Sequence, residues 1–264
     1  MRLSCYVSSY LLDNVNAAIS EKAFDIVMYD MFVHYDLRMG FSFNREFHFA
    51  YETLIFDKER IKDYYDSIST FQINAIWRKA FRRKIWENII FDEVSKQVQI
   101  SEDLYFTLNL MEHASNIKYI SKALYYYRCN FNSMTHIFQV NRLFDKLRVY
   151  EFFLRNIQNK NLDVSKLRSN VYQYVASSVF QYIATMASNS CRLGVLEREE
   201  IYKRMAKEPL ISNLLDENGK ILNSQQADII KDICSGNYSS AEMLIKKNKL
   251  RYLIREMCAN LILK

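Results

Sequence analysis

Glycine and proline are scarce, with 4 Gly and 1 Pro in 264 residues. That scarcity excludes a P-loop and collagen-like repeats, disfavours disorder, and favours long helices. Cysteine supplies no framework either. Five thiols, Cys5, Cys129, Cys191, Cys234 and Cys258, lie far apart in odd number with no Cys-x-x-Cys or zinc spacing, and read as reduced thiols. A chain of this length buries an ample core without such staples. No apolar run approaches the length that crosses a bilayer, and no basic, apolar and small-residue leader opens the chain. A cytoplasmic protein, soluble or peripheral at the inner membrane face, is therefore expected. No aspartate is followed two positions later by another, and no repeat of fixed period runs through the chain. The formal charge of +6 is modest and no recognition motif accompanies it, so nucleic acid is not an expected partner.

Aromatic residues are abundant instead, with 19 Tyr and 17 Phe. Tyr10 to Ser20 reads as a helix, and the apolar run from Phe24 to Val33 as a buried strand. Arg38 to Asp57 alternates aromatic and polar residues, as hairpin or loop insertions do. From Phe71 to Ile90, Ile73, Ile76, Trp77, Ala80, Phe81 and Ile85 fall on one helical face, which predicts a helix with Arg78, Arg82 and Arg83 on its solvated sides. Leu104, Leu108, Met111 and Ala114 repeat that spacing after Ser101, whereas Ile117 to Ile120 and Ala123 to Arg128 read as short strands. After His136 the spacing becomes helical throughout. Helices are expected near 140–156, 165–188, 197–207, 224–234 and from 239 onward, with breaks at 159–163, 191–194, 208–209 and 216–219.

The most informative stretch runs from Gln99 to His136. Ser101 suits a helix N-cap, and Glu102 and Asp103 then occupy the first turn, where free N–H groups and the helix dipole stabilise carboxylates. A helix follows, then Tyr125-Tyr126-Tyr127-Arg128 and Asn132-Ser133-Met134-Thr135-His136. Upstream stands Trp77-Arg78-Lys79-Ala80-Phe81-Arg82-Arg83, followed by Phe91. In this order the segments resemble the second half of the family 2 glycosyltransferases, whose pattern runs Trp-x-Lys-Leu-Tyr-Arg, Glu-Asp-Leu, a helix, Tyr-Tyr-Arg and Ser-Ile-Thr. The resemblance extends from about Phe24 to His136 and more loosely beyond.

It implies a partial GT-A fold, a Rossmann-like α/β layer with an incomplete sheet over residues 1–136, followed by an all-α domain over 137–264, predominantly helical overall. It implies an inverting, nucleotide-sugar-dependent transferase of capsule, cell-wall or other surface polysaccharide synthesis, acting on a glycan or lipid-linked acceptor. Inverting transfer needs a carboxylate that takes the acceptor hydroxyl's proton. By resemblance Asp103 is that base and Glu102 its neighbour, while Trp77, Lys79 and Arg128 contact substrate. His136 is a candidate ligand for a divalent metal, and His34, His48 and His113 read as structural. The family's Asp-x-Asp motif, which holds Mg²⁺ or Mn²⁺, and the donor-binding strands before it have no counterpart here. The donor half is thus expected to be missing, with no metal bound by this chain alone. The competing expectation is a noncatalytic glycosyltransferase-like remnant acting as a helical interaction module. The basic runs at 78–84 and 246–249 read first as solvated helix faces, with peripheral contact with anionic headgroups or an acceptor's phosphate as the alternative.

Overall fold

The computed structural model describes residues 5–36, 42–50, 52–57, 63, 65–66, 74–89, 98, 101–128, 138–158, 164–187, 191–216 and 221–247. These divide into two units, Met1–Ile137 with Arg155–Leu167, and Phe138–Leu154 with Arg168–Lys264.

The first unit is built on a mixed sheet. Its centre is a parallel pair, β2 (Ile26–Asp36) and β6 (Ile117–Arg128). Buried side chains line both faces of both strands over 26–29 and 117–120, all apolar but Lys118, whose ammonium pairs with Glu21. The outer edge of β6 carries β1 (Cys5–Val7) and β4 (Leu54–Phe56), both antiparallel, and that of β2 carries β3 (Ser42–Phe47) and β5 (Lys79–Phe81), also antiparallel. Helix α1 (Leu11–Glu21) buries Val15 and Ala18 against Phe24, Val27 and Ile120. The Asp25 carboxylate accepts from the Ser115 and Asn116 amides, which ties the start of β2 to the start of β6.

Two sequence expectations are revised by this geometry. Residues 117–120 and 123–128 form one strand rather than two. The register slips beside Tyr29 and Asp30, pairing Tyr29 with Ile120 and Asp30 with Ala123, so Ser121 and Lys122 bulge out. The segment expected to be helical over 71–90 is instead a 3₁₀ turn at Ile76–Arg78, strand β5, and a short helix α2 (Arg83–Glu87). Its apolar spacing suits a helix. Pairing with β2 satisfies the backbone another way, and the pull of Asp30 on Arg78 decides between them, so tertiary contacts override the local pattern. Residues 71–73 and 90 lie outside the described residues.

The second unit is helical: α4 (Arg142–Gln158) and α5 (Val164–Met186), whose adjoining ends belong to the first unit, then α6 (Val195–Met205), α7 (Pro209–Ser212), α8 (Ser224–Cys234) and a helical stretch over 238–247. Phe144, Leu147, Val175, Val179, Ile201, Met205, Ile229 and Ile233 supply core side chains. Local chemistry sets the boundaries. Asn223 caps α8 by accepting the Gln226 amide, Pro209 opens α7, and Gly236 takes φ +80° after α8. Among the described residues no helix is long and apolar enough to cross a membrane.

Candidate functional site

Three sequence segments converge on one edge of the first unit. Helix α3 (Glu102–His113) begins beside the 76–78 turn, and the Ile76 amide N–H donates to the Asp103 carboxylate. One helical turn on, the Thr107 hydroxyl donates to the Asn74 carbonyl at 2.8 Å, so Asp103 and Thr107, four apart on one face, stitch α3 to residues 74–76. Trp77 turns the other way. Its ring packs against Tyr125 (centroids 4.6 Å apart) and Tyr127 (5.4 Å), on one face of β6, and its carbonyl accepts the Tyr29 hydroxyl.

Asp103 is half-buried, and burial first, then the Glu102 carboxylate, raise its pKa, opposed by the Ile76 amide and by Lys79. Glu102 itself points to solvent. Lys79 is buried opposite Met28, and its ammonium donates to the Ala75 carbonyl at 2.8 Å. Burial, with Arg78 adding repulsion and Asp103 opposing, pushes its pKa from 10.5 to about 7. The pair therefore joins a carboxylate and an amine that are both driven toward their neutral forms.

Ser101 does not cap α3 through its side chain. It sits at φ 71° and ψ 20°, in the left-handed region, and its hydroxyl makes no cap bond. At the helix start itself, the dipole and the free amides of the first turn act on Glu102 and Asp103 without a serine cap. Arg128 is not brought to Asp103's neighbour Trp77. Alternation along β6 puts it on the face of Tyr126, opposite to Tyr125 and Tyr127, and the register pairs it with His34. His136 lies outside the described residues.

Sequence reading missed the hub behind the site. Asp30, wholly buried in β2, accepts from the Arg78 guanidinium at 2.6 Å and the Phe49 amide at 3.0 Å on one oxygen, and meets His48 at 2.9 Å and the Tyr119 hydroxyl on the other. Arg78 also donates to the Tyr29 carbonyl at 3.0 Å. Arg78 is thus an internal anchor rather than part of a solvated face, whereas Arg83, with Glu87, is exposed. His48, read as structural, also meets Glu46, and the bond to Asp30 is the main cause that raises its pKa. An aspartate inside an otherwise apolar strand was the signal for this hub, because a buried carboxylate demands a partner. Asn74 was missed as well. Its Oδ1 is buried without a hydrogen-bond partner among the described residues, beside the stitch to Thr107.

With this geometry in place, comparison with known proteins is informative. No model of a known protein family matches the chain. Among curated proteins it is similar to the uncharacterized glycosyltransferase EpsJ of Bacillus subtilis (strain 168), with 38% identity over 64 residues, 24% of this chain and 18% of EpsJ. Among solved structures it is similar to S. aureus TarS 1-349, with TM-score 0.52 and 16% identity over 93% of this chain and 64% of that one. The fold is glycosyltransferase-like. The same TarS fragment in complex with UDP-GlcNAc gives TM-score 0.53, 16% identity and coverage of 93% and 65%, and in complex with UDP 0.51, 16%, 93% and 64%. The chain spans less than two thirds of each of these relatives.

Proposed function

We propose that these 264 residues form the acceptor-side part of an inverting family 2 glycosyltransferase of surface polysaccharide synthesis, with Asp103 as the base. The observation that carries the reading is convergence: Asp103 and the tyrosines of β6, far apart in sequence, meet around the 76–79 segment that carries Trp77 and Lys79. A carboxylate whose pKa is raised by burial holds a proton more strongly than a solvated one, which favours it as acceptor of the hydroxyl proton. Trp77, packed on two tyrosine rings but half-exposed, offers ring surface to a sugar.

The proposed substrates are a nucleotide sugar and a glycan or lipid-linked acceptor, as suggested by the TarS complexes with UDP-GlcNAc and UDP. The Mg²⁺ or Mn²⁺ of the family does not fit the residues described: no group of three His, Cys, Asp or Glu among them is placed to hold a metal, and the sequence has no Asp-x-Asp. The proposal assigns donor and metal binding to a half outside these residues. Calorimetry of this chain with UDP-sugars and Mn²⁺ should then show no saturable binding. With a donor-binding half fused ahead of it, binding and transfer should appear, and Asp103→Asn should abolish transfer while leaving donor affinity intact, because the amide keeps the shape but takes no proton. Tight donor binding by the chain alone, or near-native transfer by Asp103→Asn, overturns the assignment.

A further inference from the structure

A cleft of about 610 Å³ opens over the bulge in β6, on the sheet face of Tyr126, opposite to the face on which Trp77 packs against Tyr125 and Tyr127. Its wall is a ladder of rings. Tyr6, Tyr126 and Phe32 lie directly across from one another on β1, β6 and β2, with successive centroids 4.3 and 4.7 Å apart and planes within 9° and 16°. Tyr6 ends the ladder at the β1 side of the sheet and stays 50% exposed. The bulge brings in the polar side of the cleft. The Ser121 hydroxyl goes to the Ala50 carbonyl, whereas Lys122 turns to the cleft and its ammonium donates to Asn14 Oδ1 at 2.8 Å. Asn14 is held in turn by its amide bond to the Tyr10 carbonyl, also at 2.8 Å. The partner of Lys122 is thus neutral and leaves the positive charge uncancelled. None of the lining residues is acidic, and Glu46, across from Phe32 on β3, engages His48 at 2.9 Å.

We propose that this cleft is a second carbohydrate site, away from Asp103, which holds a saccharide carrying an anionic substituent. An aromatic ring gives a sugar the flat apolar surface that its C–H face requires. A ring already stacked in a ladder is fixed before the ligand arrives, which removes the entropy cost of ordering it on binding. Ser9 and Tyr10, both exposed at the rim, bring hydroxyls to the sugar hydroxyls, and the Lys122 ammonium supplies a point charge for one anionic group. Bulges re-aim single side chains in this way beside binding sites. Tyr6, Val7 and Tyr10, each half-exposed or more, line the cleft side by side, a contiguous apolar display that marks binding surfaces rather than a core. The volume lies inside the range of about 300–1,000 Å³ typical of small-molecule sites.

The test is isothermal calorimetry of the full chain with chitotriose, a hyaluronan tetrasaccharide and N-acetylglucosamine 1-phosphate, which are neutral, uronate-bearing and phosphate-bearing. Saturable binding of all three is expected, tighter for the two anions, and whichever of these binds tighter identifies the substituent. Tyr6→Leu, which keeps apolar bulk on β1 but loses the ring, should weaken all three roughly tenfold. Lys122→Gln should weaken the anionic two by up to about fivefold and leave chitotriose unchanged. Ser9→Trp, at an exposed position, should fill the cleft and abolish binding at an unchanged melting temperature, which separates lost binding from lost folding. Leu12→Gln, exposed on α1 and not part of the lining, should change nothing. Binding is read here without donor or transfer, so the result stands apart from the role of Asp103. Absence of saturable saccharide binding, equal binding by Tyr6→Leu and Ser9→Trp, or chitotriose bound as tightly as the anions overturns the proposal.

Discussion

Replacing Lys79 with methionine should stabilise the sheet unit by an amount that fades as pH rises. The ammonium is buried, and its surroundings lower its pKa from 10.5 to about 7. A displacement of that size corresponds to roughly 5 kcal/mol by which the fold disfavours the charged form. Methionine has similar length and no charge, but it gives up the bond to the Ala75 carbonyl and the attraction of Asp103. A net gain on the order of 2–3 kcal/mol remains at neutral pH. The sign follows from proton counting. The folded pKa lies below the unfolded one, so between about pH 7 and 10.5 the unfolded chain holds more protons and stability rises with pH. Below that window both states are protonated and the penalty is complete; above it neither is, and the advantage of methionine vanishes. His48 acts oppositely, since its raised pKa gives stability that is full below the unfolded value of 6.5 and lost as pH climbs through the folded value. Tyr29 and Tyr119, pushed up to about 12, lower stability once pH exceeds 10. The difference between parent and Lys79→Met therefore isolates the lysine. Urea unfolding across pH, followed by tryptophan emission, reads this unit because both tryptophans, Trp77 and Trp86, lie in it. Parallel stability curves between pH 7 and 10, or a variant less stable than the parent at neutral pH, would refute the reasoning.

Asp30→Ala should cost about 3–5 kcal/mol in the same urea assay, because it leaves the Arg78 guanidinium buried without its carboxylate. Glu87→Gln, which breaks the exposed pair with Arg83, should change stability by less than about 0.5 kcal/mol, and a similar cost for both would contradict the burial argument. Ser101→Gly should raise stability by up to about 1 kcal/mol, since glycine accepts φ 71° without the Cβ clash and no cap bond is lost. A loss in that variant, read by the same denaturation midpoint, would show that the serine side chain caps α3 after all.

The α/β order of the first unit was legible because the relevant residues state their roles locally. The apolar run at 26–29 and the Ile117, Tyr119 and Ile120 side chains announce strands covered on both faces, and the spacing after Val140 announces helices that match the observed α4, α5, α6 and α8 within a few residues, whereas α7 falls where a break was expected. Residues 71–90 were misread because Ile76, Trp77, Ala80 and Phe81 satisfy a helical period and a pair of short extended pieces equally well. The vacant edge of β2 and the buried carboxylate of Asp30 decided the outcome, and neither is visible in a window of sequence. The slip between β2 and β6 was half legible: the two expected strands stop and start at the bulge, but continuity across it comes from pairing with β2. Ser101 fitted the composition of an N-cap and took another conformation, since composition specifies which side chain is able to bond, not the φ at which the chain enters the helix.

The arrangement around the 76–79 segment links these observations. Arg78 and Lys79 are adjacent in sequence yet point to different carboxylates, Arg78 to Asp30 behind the segment and Lys79 toward Asp103 in front of it. The rear pair is fully buried and geometrically fixed, with four groups converging on Asp30, so the segment cannot rotate without stranding a charge. The front pair is fixed less by its own bonds than by this anchor and by the stitches from Ile76 to Asp103 and Asn74 to Thr107. Burial acts on its two members in opposite directions, raising the carboxylate's pKa and lowering the amine's, which brings their proton affinities closer than they are in water. The rigid rear pair thus holds in place a front pair whose two members burial drives toward their neutral forms.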